Sequence, residues 1–175
     1  MTHQLEKDLN APAKDILDAI LYGFRAQVDV KGKLAELYLY RKLKKLENQR
    51  KISKLEWIDK DGIPDFNVTR KDKVWKVECK NVRNEIYQKP IPAYKVEIQK
   101  TRNSKDGTNT RSYKKDYFDV LAVCTFNQSK QWEFIFIKSS ELEVVESNPN
   151  LLQIMQRVPI KLINPWKKDI MEILA

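Results

Sequence analysis

The sequence predicts an α/β fold: a central mixed β-sheet of about five strands flanked by α-helices, within one domain spanning residues 1–175. Three observations predict it. Helical apolar spacing dominates residues 11–48. Strand-like alternation and unbroken apolar runs dominate residues 52–138. Helix-compatible patterns return at 149–156 and 166–174. Helices before and after a block of strands make a layered sandwich, and they exclude a helix bundle or a β-barrel.

Taken in order, residues 11–28 read as a helix that Pro12 can open, with Ile16, Ile20 and Phe24 on one stripe. Residues 31–48 read as a second helix. Leu39, Leu43 and Leu46 form its apolar stripe, and basic residues gather in its later turns, where the helix dipole favours them. Residues 52–58 are a candidate strand, and Asp61-Gly62 signals a turn. PDFNVTR (64–70) and VWKVECK (74–80) alternate apolar with polar side chains. Joined by Lys71-Asp72-Lys73, they predict a hairpin. Residues 94–102 are ambiguous: the alternation of Val96 and Ile98 with polar residues favours a strand, with a short helix as the alternative. Residues 103–115 are polar and turn-rich, which predicts an exposed loop. FDVLAVCTF (118–126) is almost continuously apolar, as a strand buried on both faces would be, and WEFIFIK (132–138) follows as another strand.

Composition narrows the function. Apolar residues make up 42% and charged residues 33%, a globular mixture. No apolar run reaches the roughly 20 residues that span a bilayer, and the N-terminus lacks the basic start and apolar stretch of a secretory signal. A cytoplasmic protein with no membrane partner is expected. Cys79 and Cys124 sit in apolar runs and are expected as reduced core thiols. With one histidine, His3, and no Cys-x-x-Cys pair, a zinc site and Cys-His catalysis are both disfavoured. The net charge of +9 makes nucleic acid the first partner to consider.

The hairpin carries the chemistry. With the turn centred between Lys71 and Asp72, Val68 pairs with Trp75, Asn67 with Lys76, Phe66 with Val77, and Asp65 with Glu78. Apolar then meets apolar and polar meets polar, and a one-residue slip would destroy that agreement. Phe66, Val68, Trp75, Val77 and Cys79 point into the core, while Asp65, Glu78 and Lys80 share the other, outward face. Facing carboxylates repel unless a cation neutralises them. Mg²⁺, which prefers oxygen ligands, suits this task. Phosphodiester hydrolysis is the chemistry such a set supports: the cation polarises the phosphate, and Lys80 orients the attacking water and stabilises developing charge.

Pro64-Asp65, twelve intervening residues and Glu78-Cys79-Lys80 resemble the PD-(D/E)xK nuclease superfamily. The resemblance implies a restriction-endonuclease-like core and a Mg²⁺ cofactor. It implies Asp65, Glu78, Lys80 and Glu36 as catalytic residues. Asp65, Glu78 and Cys79 form the implied metal set. Glu36, on the preceding helix, matches a glutamate common in the family, with an implied role toward a water on the metal or a second metal.

A second stretch, KVEIQKTRNSKDGTNTRSYKKDYFDVLAV, is similar to the segment after the lysine strand in some type II restriction endonucleases. Seven basic residues lie between Lys95 and Lys115, against Glu97 and Asp106. Arg and Lys neutralise phosphates, and Gln and Arg can also read base edges. The DNA-binding candidates are Arg83, Gln99, Lys100, Arg102, Arg111, Tyr113 and Lys114. Asp119 has the plainer role of bonding backbone amides.

The leading expectation is a homodimeric type II restriction enzyme cutting double-stranded DNA, since a two-fold protein matches a palindromic site. A cognate DNA methyltransferase is expected functionally, though not as a bound partner. The alternatives are a Holliday-junction resolvase or other nuclease of the superfamily, and a non-catalytic DNA-binding module.

Overall fold

The computed structural model describes residues 2–58, 60, 62–100 and 111–175. Two compact units make up the chain, Met1–Leu34 and Ala35–Ala175.

The first unit opens with a short helix, α1 (Gln4–Asp8), that sequence patterning had not indicated. His3 caps it: His3 Nδ1 accepts the Leu5 N–H at 3.2 Å, and the Glu6 carboxylate accepts the His3 N–H in return. Pro12 is the N-cap of α2 (Ala13–Tyr22). The expected run to Val28 stops early, because Gly23 turns to extended backbone (φ −98°, ψ 100°) and α3 (Phe24–Asn48) starts at the next residue. Phe24 therefore leaves the Ile16–Ile20 stripe and is 80% exposed. No described residue of this unit is buried.

In the second unit, the later turns of α3 bury Ala35, Leu39 and Leu43, four residues apart, with Leu46 packed at the margin. Each fully buried leucine of this kind contributes about 1.5–3 kcal/mol. The sheet begins with β1 (Lys54–Trp57), β2 (Phe66–Arg70) and β3 (Lys73–Tyr87). β2 and β3 form the expected hairpin in the expected register: Phe66↔Val77, Asn67↔Lys76, Val68↔Trp75 and Arg70↔Lys73. The connection is the two residues Lys71 and Asp72, at φ 49° and 61°, which matches the primed turn that suits the strand twist. Gly62 takes φ 79° in the preceding turn.

β3 is twice as long as the alternation in 74–80 suggested, and it organises the sheet. Its early residues pair with β2, its middle runs parallel to β5 (Val120–Cys124), and its end pairs antiparallel with β4 (Ala93–Glu97). β6 (Phe134–Lys138) adds to β5, after the four-residue helix α4 (Phe126–Ser129). The result is a seven-stranded mixed sheet. A separate small pair comprises β7 (Val144–Val145) and β8 (Asn148–Leu152), and β9 (Met155–Pro159) joins β4. Residues 149–156, expected as helix, are thus largely strand, and 166–174 holds only a 3₁₀ turn, Ile170–Glu172. Pairing with β4 and β7 overrides the helix-forming leucines there.

The sheet buries both faces. Phe66, Val68, Trp75, Val77, Cys79, Val120, Ala122 and Phe136 pack with α3 and with Ile170, Ile173 and Leu174. Val82, Val96, Tyr113, Phe118, Leu121, Val123, Leu152 and Trp166 form a second cluster. β5 is buried at every position, as its unbroken apolar run required. Cys79 and Cys124 are both buried and free. Among the described residues, no helix is long and apolar enough to cross a membrane.

Candidate active site

β2 stops pairing at Phe66↔Val77, and the pairing of β3 with β4 starts only at Val82↔Val96, so Glu78–Asn81 lack an antiparallel strand partner. A buried N–H left without an acceptor is costly. Asp65, one residue before β2, supplies the acceptor: its Oδ2 takes the Cys79 N–H at 2.8 Å. The side chain of Asp65 thereby continues the ladder that the backbone abandons, and its orientation is fixed by that bond.

On the other edge, Glu78↔Leu121 and Lys80↔Val123 are held by β5. Asp119 bonds backbone as expected, but it fixes β3 rather than a loop, accepting the Lys76 N–H at 2.7 Å. With Cys79 committed to the α3 side, Glu78 and Lys80 project to the opposite face. That face is not outward. The second core cluster covers it, and Glu78 is only 2% exposed.

Three donors and acceptors meet there. Lys80 Nζ donates to Glu78 Oε1 at 2.5 Å, and the Tyr113 hydroxyl donates to the same oxygen at 2.9 Å. Glu78 Oε2 is buried and has no hydrogen-bond partner among the described residues. Burial and the Glu78 carboxylate push the half-buried Asp65 carboxyl up to about 7, with Lys80 and the Cys79 amide pulling the other way. For Lys80, burial works to neutralise the amine, but the Glu78 and Asp65 carboxylates outweigh it and hold the group above the ordinary lysine range. Burial, reinforced by Glu78, raises the Tyr113 phenol. Glu36, on α3, accepts the Trp57 indole N–H at 3.1 Å, and its charge adds to the pressure on Asp65.

Asp65, Glu78 and Lys80 are thus gathered, with Glu36 at electrostatic range. Two expected residues are placed otherwise. The Cys79 thiol lies in the core on the α3 side, away from the face of Glu78 and Lys80, and burial raises it well above its usual range. Tyr113, expected to touch DNA from an exposed loop, is 5% exposed and spends its hydroxyl on Glu78. Ser112 beside it is buried too. The polar, basic stretch around Tyr113 masked this role. The signal available was the spacing of Tyr113, Tyr117 and Phe118, whose rings pack on one another.

The structure makes other contacts for the remaining DNA candidates and does not bring them onto Glu78 or Lys80. Arg83 is exposed, and its guanidinium bonds Glu85 at 3.1 Å and Glu97 at 2.6 Å. Gln99 bonds Glu97 as well. Lys100 and Arg111 are joined twice, by the Lys100 N–H to the Arg111 carbonyl at 2.9 Å and by Arg111 Nε to the Lys100 carbonyl at 2.8 Å. Lys114 is exposed and bridges to Leu151. Arg102 lies outside the described residues.

A divalent cation is the group this donor set would hold. Among the described residues, no three His, Cys, Asp or Glu side chains cluster as a ready metal cage. Two carboxylates do converge, one of them with a buried and unpartnered oxygen, and Mg²⁺ needs only one or two carboxylates because it keeps waters. The residues fit.

No protein-family model matches the chain, and no curated protein matches it. Among solved structures, a bacterial homing endonuclease is similar over 64% of this chain and 69% of its own, with 17% identity and a TM-score of 0.47.

Proposed function

We propose that this chain is a Mg²⁺-dependent endonuclease of the PD-(D/E)xK type that hydrolyses phosphodiester bonds of double-stranded DNA, and that it serves as a site-specific type II restriction enzyme. One observation carries the reading. A half-buried Asp65, a buried Glu78 with one uncommitted oxygen, and Lys80 converge where β3 passes from its β2 pairing to its β4 pairing.

In this reading Asp65 and Glu78 hold the cation. When bound, Mg²⁺ supplies Lewis-acid polarisation of the scissile phosphate and lowers the pKa of water. The protein's own groups do the positioning. The Cys79 N–H keeps Asp65 aimed, and Glu78 offers the oxygen that nothing else uses. Lys80 exchanges its bond to Glu78 for the phosphate, where its charge opposes the negative charge that builds up as the water attacks. Glu36 has a supporting role toward water at the site. Arg83, Lys100, Arg102, Arg111, Lys114 and Gln99 form the DNA-facing set, with phosphate attraction from the net charge of +9.

The proposed enzyme is a homodimer, and its second copy docks on the Met1–Leu34 unit. That unit exposes Leu5, Leu9, Leu17, Leu21, Tyr22, Phe24 and Val28, and short helices with no buried face are not stable alone. Between residues 2 and 34 there are five basic side chains (Lys7, Lys14, Arg25, Lys31, Lys33) and five acidic (Glu6, Asp8, Asp15, Asp18, Asp29), so two copies meet without net repulsion.

The test is cleavage of plasmid DNA with and without Mg²⁺. The wild type should cut, and Asp65→Ala should lose at least about a hundredfold in rate. Binding without cleavage in Mg²⁺ would leave only a DNA-binding module. Preference for a four-way junction over linear duplex would make it a resolvase.

A further inference from the structure

Glu78 presents an asymmetry that its own strand does not explain. Oε1 receives two donors, Lys80 Nζ at 2.5 Å and the Tyr113 hydroxyl at 2.9 Å, whereas Oε2 receives none among the described residues. The two donors differ in what they are free to do. Lys80 keeps about a quarter of its side chain exposed (26%) and has four rotatable bonds with which to leave. Tyr113 has nowhere to go. It is 5% exposed, its ring stacks on Tyr117 at 4.5 Å between centroids, and Phe118 meets its edge at 5.7 Å. Its backbone is tied down as well, because its carbonyl accepts the Leu152 N–H at 2.9 Å.

We infer that Tyr113 is a positioning residue for the cation: its hydroxyl pins Glu78 Oε1 so that Oε2 stays presented to a divalent metal ion after Lys80 has turned to the phosphate. This deepens the nuclease reading and rests on it. The physical basis is rotamer selection. A glutamate on a strand that loses its only remaining tether samples several side-chain rotamers, and the fraction presenting Oε2 correctly falls. Partners that orient a metal ligand through a hydrogen bond typically account for a ten- to hundredfold change in metal affinity. The assignment also explains why a tyrosine at the end of a basic segment is buried.

Tyr113→Phe removes the hydroxyl and keeps the ring, so the stacking on Tyr117 and Phe118 is retained. Calorimetric titration of the whole chain with Mn²⁺, without DNA, should show binding by the wild type. Tyr113→Phe should bind roughly tenfold more weakly. Tyr117→Phe, which alters the neighbouring ring in the same way, should match the wild type. In cleavage, Tyr113→Phe should raise the metal concentration for half-maximal rate by a similar factor and leave kcat at saturating metal within about twofold to threefold. A merely structural tyrosine would lower both together, or neither.

The outcomes separate the two claims. If the wild type binds Mn²⁺, Glu78→Gln abolishes binding, and Tyr113→Phe binds as tightly as the wild type, the positioning role is overturned and the nuclease reading stands. If the wild type binds no divalent ion, both fall. If Tyr113→Phe binds the ion normally but binds DNA more weakly, the hydroxyl serves DNA instead, and this inference is wrong.

Discussion

At the scale of single residues, Asp65 stands between two demands. Its oxygen must accept the Cys79 N–H to close the ladder, yet burial and the nearby Glu78 carboxylate push it up to about 7 from an ordinary 3.8. The folded chain therefore favours protonated Asp65. Its contribution to stability is complete below about 3.8 and is lost as pH rises through about 7. Unfolding experiments on the metal-free protein should accordingly show stability falling from about pH 4 to about pH 7, by an amount of order a few kcal/mol. Asp65→Asn should flatten that dependence, and Mg²⁺ should stabilise the wild type increasingly over the same window. Stability that rises toward about pH 7 in the wild type would contradict this account. Asp65, Glu78 and Lys80 were legible in the sequence because strand alternation alone puts them on one face. That Glu78 is sealed there was not legible, since the cover comes from Tyr113, Tyr117 and Phe118, more than thirty positions away, in a stretch whose polar neighbours read as open loop.

At the scale of elements, the hairpin is specified from both ends. Alternation fixes its register, and the two-residue connection fixes its geometry. The connection uses residues ill suited to it, because Lys71 and Asp72 both hold positive φ, which disfavours ordinary side chains by roughly 1–2 kcal/mol each. Replacing Lys71-Asp72 by Asn-Gly should stabilise the protein by about 1 kcal/mol, read as a higher urea midpoint with an unchanged slope. No gain would mean that the turn is strained for a reason beyond its backbone. The elements that patterning missed share a cause. Residues 149–156 carry leucines and a methionine that suit a helix in isolation, and the local hairpin with β7 together with long-range pairing to β4 makes them strands. The boundary at Gly23 was obscured by Phe24, whose spacing continued the stripe of the helix before it.

For the whole molecule, charge is divided unevenly. The five basic and five acidic residues between 2 and 34 cancel, so the excess of +9 belongs to the rest of the chain. The proposed function assigns self-association to the neutral unit with its exposed apolar side chains, and polyanion binding to the basic one. Leu17→Glu together with Leu21→Glu should convert a dimer to a monomer in light scattering, with the melting of the sheet-bearing unit unaltered. Each leucine removed from such an interface costs about 1.5–3 kcal/mol, enough together to shift micromolar association. A wild type that is monomeric at high concentration would end the proposal. The mixed α/β class was readable from sequence because period and burial agree along β5, β6 and the later turns of α3. The two-unit division was not, since a continuous helix, Phe24–Asn48, runs across it.

The bond between Lys80 and Glu78 has one more implication. The chain carries its own provisional counter-ion. With the lysine ammonium resting on the glutamate, the sheet can assemble in a magnesium-poor setting without leaving a bare anion in its interior, and chelation should silence such a protein while leaving it folded. Under the proposed function, one flexible amine would separate the stability of the folded chain from its reactivity, holding the glutamate until a phosphate took its place.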